Sequence, residues 1–101
     1  MKTLKQLQVE HVANILLAAM NEKVSEMEFI IKDIIDSNYP FCKGRKMLKE
    51  GIERYCIISN RLYDLCIKYP TYESYKYNIN DIENLGKRFS IVRDFYYNTN
   101  K

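Results

Sequence analysis

The sequence lacks the residue patterns that usually carry chemistry. It holds one histidine and three cysteines, Cys42, Cys56 and Cys66, with no CxxC or HxxxH spacing, which excludes the common zinc sites. The odd cysteine count argues against a disulfide framework, and we expect buried free thiols. No phosphate-binding loop motif is present. We therefore predict a protein that is not an enzyme and has no metal and no cofactor.

Long apolar runs are missing as well. The run from Ile15 to Met20 has only six residues, whereas a membrane span needs about 20. Polar residues precede this run, unlike the start of a secretory signal peptide. These absences predict no contact with membranes and a cytoplasmic location, in a bacterium or an infected host cell.

What is present indicates one small globular domain over residues 1–101. The chain is 47% hydrophobic and 29% charged, an ordinary globular mixture. Tryptophan is absent and Ile, Lys, Asn and Tyr are abundant, a bias that suits an AT-rich genome such as that of a low-GC bacterium or its phage. A monomer of this length buries only about 60–65% of its unfolded surface, so sharing apolar surface with a second copy is expected.

Two helix-start signals stand in the first third of the chain. Thr3 and Gln6 form a capping box, and Ser25 and Glu28 form another. Apolar residues follow each start at helical spacing. We predict helices over 4–20 and 26–37, in preference to one long helix that runs through both segments.

The remainder of the chain predicts two further helices. The third runs over 44–68, and the last begins at Asn80, which has the residue type of an N-cap. Each has an apolar stripe at helical spacing, which contains Leu48, Ile52, Tyr55, Leu62 and Cys66 in the third helix and Ile82, Leu85, Phe89, Val92 and Tyr96 in the last. Between them, residues 70–80 are predicted to be a loop with at most one short strand. Gly51 and Gly86 fall inside these helices, where each costs about 1 kcal/mol relative to alanine, and close helix packing is expected at both. The fold class is all-α, a small antiparallel bundle of about four helices with short connections.

A basic cluster marks the start of the third helix. Residues 43–68 hold seven basic and three acidic groups, a local charge of +4. Cations at a helix N-terminus oppose the helix dipole, and together with free backbone amides they suit a phosphate or carboxylate. The alternative is a solvated charge cluster. The predicted anion-binding residues are Lys43, Arg45, Lys46 and Lys49.

Tyrosine is the other unusual feature, with nine copies. Tyrosine is enriched at protein interfaces because it gives large contact area at low entropy cost. Stacking on nucleobases, or simple packing on the end of the bundle, are the alternatives. The predicted partner interface consists of Tyr69, Tyr72, Tyr75 and Tyr77.

These features favour a non-enzymatic interaction protein that self-associates and binds a partner macromolecule. The tyrosine cluster indicates that this partner is a protein. A phage or mobile-element inhibitor or adaptor is its concrete form. The alternative is a binder of a nucleotide or nucleic-acid phosphate through the basic cluster. A homodimer is expected because Ile30, Ile31, Ile34 and Ile35 surround more than half a helical turn, and large exposed apolar patches mark interaction sites.

Overall fold

Thr3 begins the first helix as its sequence predicts. Its hydroxyl accepts a hydrogen bond from the Gln6 amide at 3.1 Å, and the Gln6 side chain accepts one from the Thr3 amide at 2.8 Å. Both halves of the capping box are therefore formed. The computed structural model describes residues 3–36, 41–69 and 74–98, and within the helices it leaves out the side chains of 41 and 74–80.

Three helices and no strand make up the described residues. They are α1 (Leu4–Ile35), α2 (Phe41–Lys68) and α3 (Ser74–Asn98). The all-α prediction is confirmed, but the predicted number of about four helices is wrong by one. The difference arises because residues 4–35 form one helix instead of two.

The capping box predicted at Ser25 is wrong because α1 continues through it. No Gly or Pro interrupts residues 21–24, and Val24 and Met27 on either side are 0% and 1% exposed. Burying both in one core stripe favours an unbroken helix. Ser25 and Glu28 have another use, since both contact Arg88 of α3.

The predicted boundaries of the other two helices also need correction. Helix α2 begins at Phe41, three residues before the prediction, and α3 begins at Ser74. Residues 74–80 are thus helical instead of a loop or strand, and Asn80 is no cap. This segment contains neither Gly nor Pro, so its alternating tyrosines only weakly favoured a strand. Residues 70–73 of the predicted loop lie outside the described part of the chain.

One hydrophobic core joins all three helices. Fully buried side chains recur seven residues apart in α2 and in α3, at the helical spacing that the sequence predicts. The sequence-predicted stripe of α3 is confirmed, with its remaining members packed at the edge of this core. The most deeply buried side chains are those of Ala13, Met20, Val24, Met27, Leu48 and Val92.

The helices form a rod of 53 × 21 × 19 Å with a radius of gyration of 15.9 Å, compared with about 13 Å for a compact chain of this length. Helix α1 packs most extensively on α2 and less on α3, and α2 and α3 touch each other least. A cleft therefore runs between α2 and α3. Along the described ranges, each helix is too polar or too short in its apolar part to cross a bilayer.

The cysteines are free, but two of them are not buried as predicted. Cys42 and Cys56 are exposed, and Cys66 is half-buried. Burial raises the pKa of the Cys66 thiol, which lowers its reactivity toward electrophiles. Cys56 stands at the edge of the cleft between α2 and α3.

Candidate functional site

The cleft between α2 and α3 forms a groove of about 310 Å³. Its floor is the buried Met20 of α1, so the groove reaches the hydrophobic core. Both walls combine apolar with small or hydroxyl-bearing side chains. We call it the α2–α3 groove, and its walls are Tyr55, Cys56, Ser59, Asn60, Ile82, Gly86, Phe89 and Ser90.

Gly86 distinguishes this groove from the rest of the molecule. A Cβ added at Gly86 would meet no atom within 4 Å, whereas one at Gly51 would lie 2.8 Å from the Cγ and Sδ atoms of Met27. Close packing therefore explains Gly51, as the sequence predicts, and does not explain Gly86. Gly44 is a second close approach that sequence reasoning missed, since its Cβ would lie 2.5 Å from Cδ1 of Ile34.

An aromatic stack joins the two walls at the base of the groove. The rings of Tyr55 and Phe89 lie 4.0 Å apart between centroids, at an interplanar angle of 12°. Burial raises the pKa of the Tyr55 hydroxyl, so the phenol is neutral at physiological pH. The stack fixes the separation of α2 and α3 at this level, and the small residues beside it leave the groove open.

Arg88 holds α3 to α1 on the other side of the rod. Its guanidinium donates hydrogen bonds to Glu28 Oε2 at 3.2 Å, to Asn21 Oδ1 at 2.9 Å and to Ser25 Oγ at 3.1 Å. The hydrogen bond from Arg88 is also the main cause that lowers the pKa of Glu28. Sequence reasoning missed this cluster. Its signal is the polar row at 21, 25 and 28, whose spacing of four and three places these residues on one helix face.

The four residues of the predicted basic cluster differ in their burial. Arg45 is half-buried: its guanidinium lies 4.5 Å from the centroid of the Tyr96 ring, and Nη2 donates to the Tyr96 carbonyl oxygen at 3.5 Å. Lys43, Lys46 and Lys49 are exposed around the helix. Arg45 thus connects α2 to α3, and anion binding by the cluster stays a prediction.

The structure describes only part of the predicted tyrosine interface. Tyr69 is half-buried, with the Nζ atoms of Lys5 and Lys68 at 5.2 and 5.6 Å from its ring centroid. Lys5, chiefly through a hydrogen bond, and then Lys68 lower the pKa of the Tyr69 hydroxyl. Tyr72 lies outside the described residues. Tyr75 and Tyr77 lie in the first turns of α3, and their side chains are outside the description.

Similarity to known proteins adds no assignment to this geometry. No protein-family model matches the chain, and neither a curated protein nor a solved structure matches it. Within the described ranges, no three His, Cys, Asp or Glu side chains are grouped as a metal site requires.

Proposed function

We propose that the protein is a non-enzymatic interaction protein that accepts a helix of a partner protein in the α2–α3 groove. The observation that carries this proposal is Gly86. A glycine inside a helix costs about 1 kcal/mol relative to alanine, and here no neighbour within 4 Å requires it. A helix of another protein, lying in the groove, would gain from the missing side chain.

The groove favours a helix over a small ligand. Packing between helices places side chains of one helix in the grooves of the other, at axis distances of about 8–10 Å. Small residues allow the shorter of these distances, and Ser59 and Ser90 supply them on opposite walls. A fourth helix in this position would complete a four-helix bundle around the floor residue Met20.

The chemistry of the walls defines the partner's helix. An apolar face would contact Met20 and Ile82, while polar groups beside that face would bond to the hydroxyls of Ser59 and Ser90. Helix-in-groove recognition reads apolar residues at spacings of three and four. The partner segment is thus an amphipathic helix with small or medium apolar side chains. An inhibitor or adaptor acts through binding of this kind.

Cys56 provides a direct test at the edge of the groove. A benzophenone maleimide is attached to Cys56 in a Cys42→Ser variant, and the labelled protein is irradiated in extract of its source organism. We expect one protein to be cross-linked, through a peptide of amphipathic helical pattern. The matched control carries the same label on Cys42 in a Cys56→Ser variant, because Cys42 is also exposed but does not line the groove.

Gly86→Phe separates groove binding from general adhesion. Its side chain would fill open space, so the variant should fold and lose the cross-link from Cys56. Lys87→Phe, one residue along at an exposed position, should keep it. An equal cross-link from Cys42, or one that survives Gly86→Phe, would contradict the proposal. A cross-link only to the protein's own chain would assign the groove to a second copy instead.

A further inference from the structure

The outer face of α1 carries a second stripe, away from the core. Eight positions, alternately four and three residues apart from Leu4 to Phe29, are all exposed. Leu4, Ile15 and Phe29 leave 72%, 55% and 63% of their surface in water. Alternating spacings of four and three are those with which one helix packs along another. We call these eight positions the outer stripe, which is about 38 Å long at ~1.5 Å per residue. Its members are Leu4, Gln8, His11, Ile15, Ala18, Glu22, Ser25 and Phe29.

Charge is missing from the middle of this helix on every side. The ten residues from Val12 to Asn21 include no Lys, Arg, Asp or Glu. The core takes Ala13, Leu17 and Met20, and Leu16 packs against it. This leaves Val12, Ile15 and Ala18 exposed. A helix that is apolar all round is normally buried on all sides. At its centre, Ile15 and Ala18, the outer stripe therefore lacks the charged surface of a helix face that is exposed to solvent.

The elongated chain also exposes more surface than a compact monomer of its mass. The accessible surface is 7066 Å², whereas a folded monomer of this mass exposes about 6,000 Å². The excess, roughly 1,000 Å², is larger than the ~800 Å² that each partner buries in a typical stable interface. The rod thus exposes enough additional surface to form one such interface.

We propose that two copies of this chain pair through the outer stripe, with their α1 helices antiparallel. The stripe is symmetric about the midpoint between Ile15 and Ala18, which is the condition for a two-fold axis. In that register Leu4 lies against Phe29 of the second copy, and Ile15 lies against Ala18 of the second copy. Apolar groups meet at both ends, and a large side chain meets a small one at the centre.

The polar members of the stripe are complementary in the same register. His11 lies opposite Glu22 of the second copy. Gln8 lies opposite Ser25 of the second copy, whose hydroxyl accepts a hydrogen bond from Arg88 of its own chain and keeps its proton to donate to Gln8. A parallel pair would instead place each Glu22 beside its counterpart and align the two helix dipoles. Like charges directly opposite one another disfavour that arrangement. Antiparallel pairing is therefore the arrangement that this order of residues selects.

This inference does not rest on the proposed function. The outer stripe belongs to α1, and the α2–α3 groove opens between the other two helices. Gly86→Phe should leave the dimer intact, and loss of the dimer should leave the cross-link from Cys56 in place. The failure of one proposal is thus distinguishable from the failure of the other.

Sedimentation equilibrium of the full chain tests the pairing. The wild-type protein should have twice the chain mass of 12.1 kDa. Ile15→Lys places a charge at the centre of the stripe and should weaken the dimer at least ~100-fold. Ile57→Lys is the matched control, since Ile57 is 53% exposed compared with 55% for Ile15 but belongs to α2. It should remain dimeric, and circular dichroism should show both variants folded.

Engineered cysteines test the register in a Cys42→Ser/Cys56→Ser background. His11→Cys/Glu22→Cys should oxidise to a covalent dimer, because these positions face each other across the antiparallel pair. Neither single variant should do so, whereas equal mixing of the two should give a dimer with one disulfide. Covalent dimer from His11→Cys alone would show that residue 11 faces its own counterpart, in a parallel pair or another antiparallel register, and would overturn the proposed register. A mass of one chain for the wild-type protein over a hundredfold concentration range would overturn the proposal itself.

Discussion

Helix α2 packs closely on α1 but leaves an open groove toward α3, and one glycine lies at each of these two places. At Gly51 the space for a Cβ is already occupied by Met27, a side chain that is 1% exposed, whereas at Gly86 the space is empty. In the sequence both are simply glycines within helical patterns. A missing side chain can therefore mark a contact that exists within the chain or one that a second molecule completes.

The extent of contact between the helices supports this distinction. Helix α1 packs on both neighbours, more extensively on α2 than on α3, whereas α2 and α3 touch each other least. Helices α2 and α3 meet mainly through the stack of Tyr55 on Phe89 and through Arg45 on Tyr96. The contact between α1 and α2 is thus complete within one chain, while that between α2 and α3 is bridged at separate points.

The largest expected effect is at the closed contact. Met27→Ala should lower the free energy of unfolding by about 2–5 kcal/mol, because it removes a fully buried side chain and leaves a cavity under Gly51. Ile82→Ala, which shortens a half-buried side chain in the wall of the groove, should cost less than half as much. Urea denaturation followed by circular dichroism measures both. Equal losses would mean that the two contacts are packed alike.

Arg45 is expected to have the next largest effect. Arg45→Gln removes the guanidinium from the Tyr96 ring, and a cation–π contact of this kind contributes about 1–2 kcal/mol when it is partly desolvated. Lys46→Gln, one residue along but exposed, is the control and should be neutral. Thermal unfolding of both variants provides the measurement. If Arg45→Gln unfolds like wild type while phosphate binding disappears, Arg45 belongs to an anion site instead.

Much of the fold follows from the sequence because burial repeats with helical period. The stripes containing Leu48 and Leu62 in α2, and Leu85 and Val92 in α3, are all buried as predicted. Helix boundaries were less predictable. Ser25 is a residue type that commonly caps helices, but a cap contributes only about 1 kcal/mol to stability. Burial of the side chains around Ser25 in one continuous helix contributes more.

Most of the candidate site could not be predicted from the sequence. The α2–α3 groove depends on how far two helices stand apart, which no local pattern specifies. The position of Arg45 could not be predicted either. Its charge indicated an exposed side chain, but its aliphatic stem and planar guanidinium also suit packing on an aromatic ring. The outer stripe of α1 could be found from its spacing, and only the structure shows that it faces away from the core.

Alanine at the two glycines sharpens the comparison, with effects of opposite sign. Gly86→Ala should raise the free energy of unfolding by up to about 1 kcal/mol, because alanine favours the helix and meets no neighbour. Gly51→Ala should lower it by about 1 kcal/mol, since the displacement of Met27 outweighs the same helical gain. Paired urea titrations of the two variants suffice. Stabilisation by both would show that Met27 moves aside freely.

The smallest expected effect concerns the hydrogen bonds from Arg88 that attach α3 to α1. Side chains that are 35% and 44% exposed are screened by water, so the coupling of Arg88 with Glu28 should be only about 0.2–1 kcal/mol. A double-mutant cycle of Arg88→Met and Glu28→Gln measures it. Because Arg88 lowers the pKa of Glu28 below its ordinary value of 4.5, the folded state binds this proton less readily than the unfolded state.

The coupling should therefore be complete well above pH 4.5 and disappear as pH falls through the lower folded-state pKa of Glu28. The cycle is repeated at neutral pH and at the lowest pH where the protein stays folded. Lys23 and Glu26, 3.2 Å apart within α1, provide a control pair that does not join two helices. Loss of the Arg88 coupling at low pH, with α3 still packed on α1, would show that apolar contacts hold this pair of helices. A coupling unchanged by acid would mean that Arg88 binds the protonated carboxyl of Glu28 as well as the carboxylate, so that the pair does not depend on the charge of Glu28.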